Sequence, residues 1–109
     1  MKITQESADN ILTLSLDGEL DASSSVLLDT ELTKPEVLHY KKVLIDCQKL
    51  NYISSAGLGV FISHLQQFQD ADVKLVFFNM QEKVHNVFEI LGLDALMTIV
   101  PSQAEATAF

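Results

Sequence analysis

The stretch that most constrains the fold runs from Val43 to Phe68. It opens with a short apolar run, Val43-Leu44-Ile45-Asp46-Cys47, and continues into Tyr52-Ile53-Ser54-Ser55-Ala56-Gly57-Leu58-Gly59-Val60. Beyond that, Leu58, Phe61, Ile62, Leu65 and Phe68 recur at spacings of three and four. A short unbroken apolar run followed by a helical period is a strand handing over to a helix. Because Val43, Leu44 and Ile45 are apolar in succession, both faces of the run are expected to be covered, as in a central, partly parallel strand. Parallel neighbours need crossover helices, so this one stretch already argues for an α/β layer structure.

The rest of the chain agrees. Lys2 to Ser7 alternates weakly, Asp9-Asn10 reads as a turn, and Leu12, Leu14 and Leu16 alternate with Thr13 and Ser15. That pattern is an antiparallel pair with one polar face. Asp21 or Ser23 is placed to cap a helix from about Ser23 to Leu32, with Leu27, Leu28 and Leu32 as its apolar stripe. Pro35 limits that helix, and a less regular piece follows to Tyr40. Val73 to Phe78 is a further buried strand. Asn79 and Glu82 have capping-box spacing before a helix with Val84, Val87, Phe88 and Leu91 on its inner stripe, and Gly92 stops it. Leu96 to Val100 is a last strand, and Ser102 to Ala108 a short terminal helix. The expectation is one domain over residues 1–109, a mixed sheet of about five strands packed against about four helices.

The chain has 7 lysines, no arginine and 15 acidic residues, a formal net charge of −8. Nucleic-acid binding rests on a basic footprint, and no such footprint is present. The same imbalance argues against an anionic membrane surface. No apolar run approaches the ~20 residues that span a bilayer. The start of the chain has no apolar core of a signal peptide. A soluble cytoplasmic protein is expected. Cys47 is the only cysteine and is read as a buried, inert thiol.

The turn at residues 52–60 is where chemistry could reside, since loops held by a rigid scaffold often carry function. Gly57 and Gly59 supply two glycines of a dinucleotide-binding turn, but the third small position holds Ile62. Neither Ser54 nor Ser55 has the glycine two places earlier that a nucleophile elbow requires. His39, His64 and His85 have no spacing that would make a triad or a metal site, and are read as surface or packing residues. No cofactor, metal or catalytic residue is expected. Two readings remain for the serines. One is a helix cap, because a serine oxygen accepts a bond from an orphan N–H. The other is phosphorylation, because a helix start tolerates the added charge of about −1.5 to −2.

Gly18-Glu19-Leu20-Asp21, Val43-Leu44-Ile45-Asp46 and Ile53-Ser54-Ser55-Ala56-Gly57-Leu58-Gly59 together resemble the STAS domain of bacterial anti-sigma factor antagonists, as do Leu91-Gly92-Leu93 and Ser102-Gln103-Ala104-Glu105-Ala106. The resemblance covers nearly the whole chain. It implies a non-enzymatic partner switch. The unphosphorylated form binds an anti-sigma factor that is also a serine kinase of the GHKL type, which frees a sigma factor. Phosphorylation separates the pair, and a PP2C-type phosphatase resets it. The modified serine of the family sits two places before the first glycine of Gly-Leu-Gly, which is Ser55 here, with Ser54 as second choice. The implied partner-binding residues are Asp21, Ser23, Ser54, Ser55, Ala56, Gly57 and Gly59. Many such antagonists carry Asp where this chain has Ser54, so Asp21 or Asp46 would have to supply any supporting carboxylate. The alternative within the same resemblance is a constitutive STAS interaction subunit of a transport or sensory assembly, with no phosphorylation cycle.

Overall fold

The computed structural model describes residues 1–109. Five strands form one sheet in the order β1-β2-β3-β4-β5: Lys2–Ala8, Ile11–Leu20, Lys42–Ile53, Lys74–Phe78 and Thr98–Val100. The first two pair antiparallel, and every later neighbour is parallel. Four helices complete the domain: α1 (Ala22–Thr33), α2 (Ser55–Asp70), α3 (Glu82–Ile90) and α4 (Gln103–Ala108). The expected mixed sheet with about four helices is therefore the observed architecture. No helix is long and apolar enough to cross a membrane.

Spatial order follows chain order across the sheet. Right-handed crossovers that all step in the same direction must place their helices on the same face. That face carries the main core, 22 buried residues contributed by the sheet, α1, α2, α3 and the segments that connect them. Phe61 of α2, Phe77 of β4 and Phe88 of α3 form an aromatic chain through it, with ring centroids 4.8 and 5.7 Å apart. The opposite face holds only a small cluster of Leu44, Val76, Phe78 and Ala106, closed by α4. Lys42 reaches the carbonyl of Thr107, and Lys74 Nζ reaches Phe109 O at 3.2 Å, so two lysines tie α4 to the sheet.

The strands are longer than the apolar runs. β2 continues through Asp17-Gly18-Glu19 to Leu20, where it was expected to end at Leu16. β3 continues seven residues past Asp46 to Ile53, where it was expected to end at Cys47. The β3 extension departs from strict alternation, with Gln48-Lys49 and Asn51-Tyr52 exposed in pairs between buried Cys47, Leu50 and Ile53, which breaks the pattern without ending the ladder. The register of β2 on β3 shifts between Ser15 and Asp17 and again between Gly18 and Glu19. Gly18 takes φ +114° there, a conformation that suits a bulge and disfavours a side chain.

The turn chemistry holds at Asp9-Asn10, both with positive φ, as a two-residue hairpin turn requires. It fails at Asn79. That residue is in the left-handed region with φ 57°, and α3 starts behind Gln81, so the expected capping box with Glu82 does not form. The apolar stripes also hold only in part. Leu28 and Leu32 of α1 are buried, but Leu27 is exposed. On α2, Leu58, Phe61 and Phe68 are buried and Ile62 is exposed. On α3, Val84 and Phe88 are buried, while Leu91 lies outside.

Candidate partner-docking site

β2 and β3 end level with one another, Leu20 opposite Ile53. Both chains turn into helices at that edge, and the N–H of Ser54 donates to the carbonyl of Leu20 at 2.8 Å. Asp21 and Ser54 are thus neighbours by construction, each the residue before a helix. Ligand sites of parallel sheets gather at this end of the strands, because the loops there are held by the ladder behind them.

Asp21 caps α1. Its Oδ1 accepts the N–H of Ser24 at 3.0 Å, and the Asp21 N–H donates in return to Ser24 Oγ at 2.9 Å. The hydroxyl of Ser23 also donates to Oδ1, at 3.0 Å, and that of Ser24 lies 2.9 Å from it. The bonds from the Ser24 N–H, the Ser24 hydroxyl and the Ser23 hydroxyl hold the Asp21 carboxyl at about 2, below its ordinary 3.8. Asp21 therefore stays ionised at any physiological pH. The bonds from the Ser24 N–H and from the Ser23 and Ser24 hydroxyls all fall on Oδ1.

Ser54 caps α2. Its Oγ accepts the N–H of Gly57 at 3.1 Å, and its carbonyl takes the first helical bond, from Leu58 at 3.0 Å. The cap is thus Ser54 and not Ser55. Ser55 is the first helical residue and is exposed, and its hydroxyl takes no protein partner. The N–H groups of a helix's first turn have no partners within the helix, so the Ser55 hydroxyl stands at the positive end of α2. No acidic residue lies in that first turn. Ser54 also accounts for its own chemistry: serine and aspartate are equally good caps, so the exchange preserves the helix start and removes only the charge.

The glycines differ sharply. A Cβ at Gly57 would fall 2.7 Å from Leu20 Cγ and 3.2 Å from Ile53 Cγ1, so Gly57 is what lets α2 seat against the strand ends. Gly57 is buried and offers a partner no surface of its own. A Cβ at Gly59 would meet nothing within 4 Å. Ser23, Ser55, Ala56 and Gly59 are exposed, and Asp21 and Ser54 half-buried.

Asp46 is not part of the site. Ile53 lies seven positions further along β3, roughly 20 Å at the usual rise. It lines a polar hollow of about 310 Å³ with Lys2, Ser15 and Lys49. Asp46 therefore cannot supply a carboxylate to Ser55, contrary to the expectation from the strand's apparent end. Cys47 is buried, and that burial, with the Asp46 charge second, pushes its thiol well above the usual range, so it is inert as expected. His64 is a packing residue: it is buried on α2, and its Nε2 lies 2.8 Å from Asp29 Oδ1 on α1. Nothing in the sequence marks that pair, which is 35 residues apart.

Comparison with known proteins gives the family and the fold. The family model described as the STAS domain matches residues 2–106. A Bordetella bronchiseptica protein described as the anti-sigma factor antagonist BtrV is 31% identical over 99% of this chain and 93% of its own. The fold is that of an anti-sigma factor antagonist crystal structure from Thermotoga maritima, with TM-score 0.89 at 22% identity over 97% of this chain and 92% of that one. It is also that of the Bacillus cell fate determinant SpoIIAA in its phosphorylated form, with TM-score 0.74 at 16% identity over 98% and 97%.

Proposed function

The chain belongs to the STAS domain family, and on that premise we propose that it is an anti-sigma factor antagonist working as a phosphorylation-controlled partner switch. STAS domains are regulatory modules, and this one is not an enzyme. Unphosphorylated, it binds an anti-sigma factor that is a GHKL-type serine kinase in the cytoplasm and so frees a sigma factor. The kinase transfers the terminal phosphoryl group of its ATP to Ser55 Oγ, with loss of the hydroxyl proton, and the pair separates. A PP2C-type phosphatase hydrolyses the phosphoserine and restores binding.

The observation that carries this reading is the free, exposed hydroxyl of Ser55 one residue past the cap. A phosphoryl group added there meets unpaired N–H groups and the positive helix end, worth about 0.3–1 kcal/mol. The fold therefore tolerates the modification. A partner seated on Asp21, Ala56 and Gly59 meets a new dianion and is expelled by charge and bulk. The switch acts on binding and leaves folding intact.

One feature favours a second reading, a constitutive STAS subunit of a transport or sensory assembly. Position 54 is neutral, and no side-chain bond ties a carboxylate to the Ser55 hydroxyl. Intact-mass measurement with site mapping on the protein from its own host separates the two. One phosphate on Ser55, with Ser55→Ala binding the kinase irreversibly to ATP and Ser55→Asp failing to bind, supports the switch. A Ser55→Asp variant that binds as tightly as the wild type overturns it.

A further inference from the structure

The two edges of the sheet are unlike. β5 is 3 residues long and runs straight into Pro101, a short edge stopped by a proline. β1 is 7 residues long, has no proline or glycine, and pairs with β2 without a register shift. All of it is exposed except Ile3, which is half-buried. A long, regular, uncovered edge is a template for pairing with another strand.

The hairpin fixes which main-chain groups are free. The Asp9-Asn10 turn closes on Ala8 and Ile11. The pair that closes a two-residue turn is hydrogen-bonded, and such pairs then alternate with non-bonded ones along an antiparallel ladder. Ala8, Glu6, Thr4 and Lys2 therefore spend their main-chain groups on β2. Those of Ile3, Gln5 and Ser7 point away from the sheet, and none of the chain's turn, loop or cap bonds reaches them.

The side chains say which strand fits. Lys2 and Glu6 are the only charges on β1, so the strand is neutral in a chain of net charge −8. Neither is ion-paired within the chain, and Lys2 makes no pair even with Asp17, opposite it on β2. Ile3 packs against the main core, so Lys2, Thr4 and Glu6 share the other face. Antiparallel self-pairing about a two-fold axis at Thr4 sets Lys2 of each copy against Glu6 of the other, and Thr4 against Thr4. Ile3 of each copy then exchanges both main-chain bonds with Gln5 of the other. An axis at Gln5 would set Lys2 against Ala8, and an axis at Glu6 would set glutamate against glutamate. We propose that β1 is a self-association edge, joining two copies of this chain in one continuous sheet with the axis at Thr4.

Such an interface uses the same strand on both sides and closes at two copies, because the remaining edge, β5, is the short one that ends at Pro101. It is separate from the Ser55 turn, which follows the far end of β3, whereas β1 touches only β2 in the sheet. Antiparallel joining sends the two Ser55 turns to opposite ends of the joined sheet. One dimer thus carries two docking sites that point apart.

The test is sedimentation of the purified chain from micromolar to millimolar concentration, with disulfide cross-linking to read the register. The expected result is a monomer–dimer equilibrium. Thr4→Cys cross-links to itself on mild oxidation, because a non-bonded antiparallel pair brings its two Cα atoms within disulfide reach. Gln5→Cys does not, because the two copies of position 5 are offset along the strands. The one native cysteine, Cys47, is buried and takes no part. Lys2→Glu and Glu6→Lys each raise the dimer dissociation constant roughly tenfold, and the charge-exchanged double variant restores it. The two single changes move the net charge in opposite directions, so long-range repulsion alone would weaken one dimer and strengthen the other. A chain that stays monomeric to millimolar concentration, self-cross-linking of Gln5→Cys as fast as that of Thr4→Cys, or a double variant no better than either single one overturns the proposal. The readout does not involve Ser55, so its failure and failure of the switch are distinguishable.

Discussion

Gly57 sits against Leu20 so closely that a Cβ at position 57 would come within 2.7 Å of Leu20 Cγ. Leu20 is fully buried at the end of β2. That contact, with the Ser54 N–H bond to the Leu20 carbonyl, fixes the start of α2 beside the start of α1. It is the reason Asp21 and Ser55 share one surface.

Gly57→Ala should therefore destabilise the protein. Overpacking costs about 1–3 kcal/mol, against roughly 1 kcal/mol regained from helix propensity. Gly59→Ala has nothing to clash with and should stabilise by about 0.5–1 kcal/mol. Urea unfolding of the two variants gives midpoints that move in opposite directions. Equal shifts would remove the packing explanation for Gly57.

Ser54→Ala loses the bond to the Gly57 N–H and should cost about 1 kcal/mol, whereas Ser54→Asp should leave stability within a few tenths. If the switch operates at Ser55, Ser54→Asp also changes the rate at which the kinase modifies it, with no change in fold. Thermal melts and a phosphorylation time course on the same three proteins separate the cap from the charge.

Asp21 makes a pH-dependent contribution whose sign follows from its lowered carboxyl, about 2 in the folded chain against 3.8 ordinarily. A group of lowered folded pKa stabilises fully above the unfolded value and loses that contribution as pH falls through the folded one. The stability difference between wild type and Asp21→Asn should hold steady above pH 4 and shrink as pH falls towards 2. Urea midpoints at several pH values test it, and a constant difference would show that the capping bonds do not hold the charge.

Asp29→Ala leaves a nearly buried ring nitrogen of His64 without its partner, at a cost of about 1–3 kcal/mol. Asp29→Asn keeps an acceptor and should cost less. The side chain of Asp29 is itself half exposed, so a mere surface residue would give no difference between the two variants in urea unfolding.

Much of the architecture was legible because periodicity is a local property. Leu12, Leu14 and Leu16 alternate in the sequence and are buried together in the sheet; Phe61 and Phe68 keep helical spacing and are buried together under α2. The limits came where local pattern and burial part company. β3 runs on through Gln48 and Lys49 because a strand needs only a ladder on its edges, and the register with β2 shifts there without breaking it. Asn79 has the right spacing to Glu82 for a capping box, but its backbone is spent on a left-handed turn out of β4. Ile62, Leu27 and Leu91 continue apolar stripes past the width of the surface available to cover them.

The sequence alone was enough to specify a strand–turn–helix with two serines at the turn, since composition, spacing and period all act within a few residues. Which serine caps the helix and which stands free depended on where the Leu20 carbonyl meets the chain, at Ser54. That Gly57 is obligatory and Gly59 is not depended on what lies opposite each, Leu20 in one case and solvent in the other. Asp46 was separated from Ser55 by the true length of β3, and Asp29 was joined to His64 by the packing of α1 on α2. Each of these is a distance between residues remote in the chain, and only the assembled sheet with its three helices on one face sets such distances.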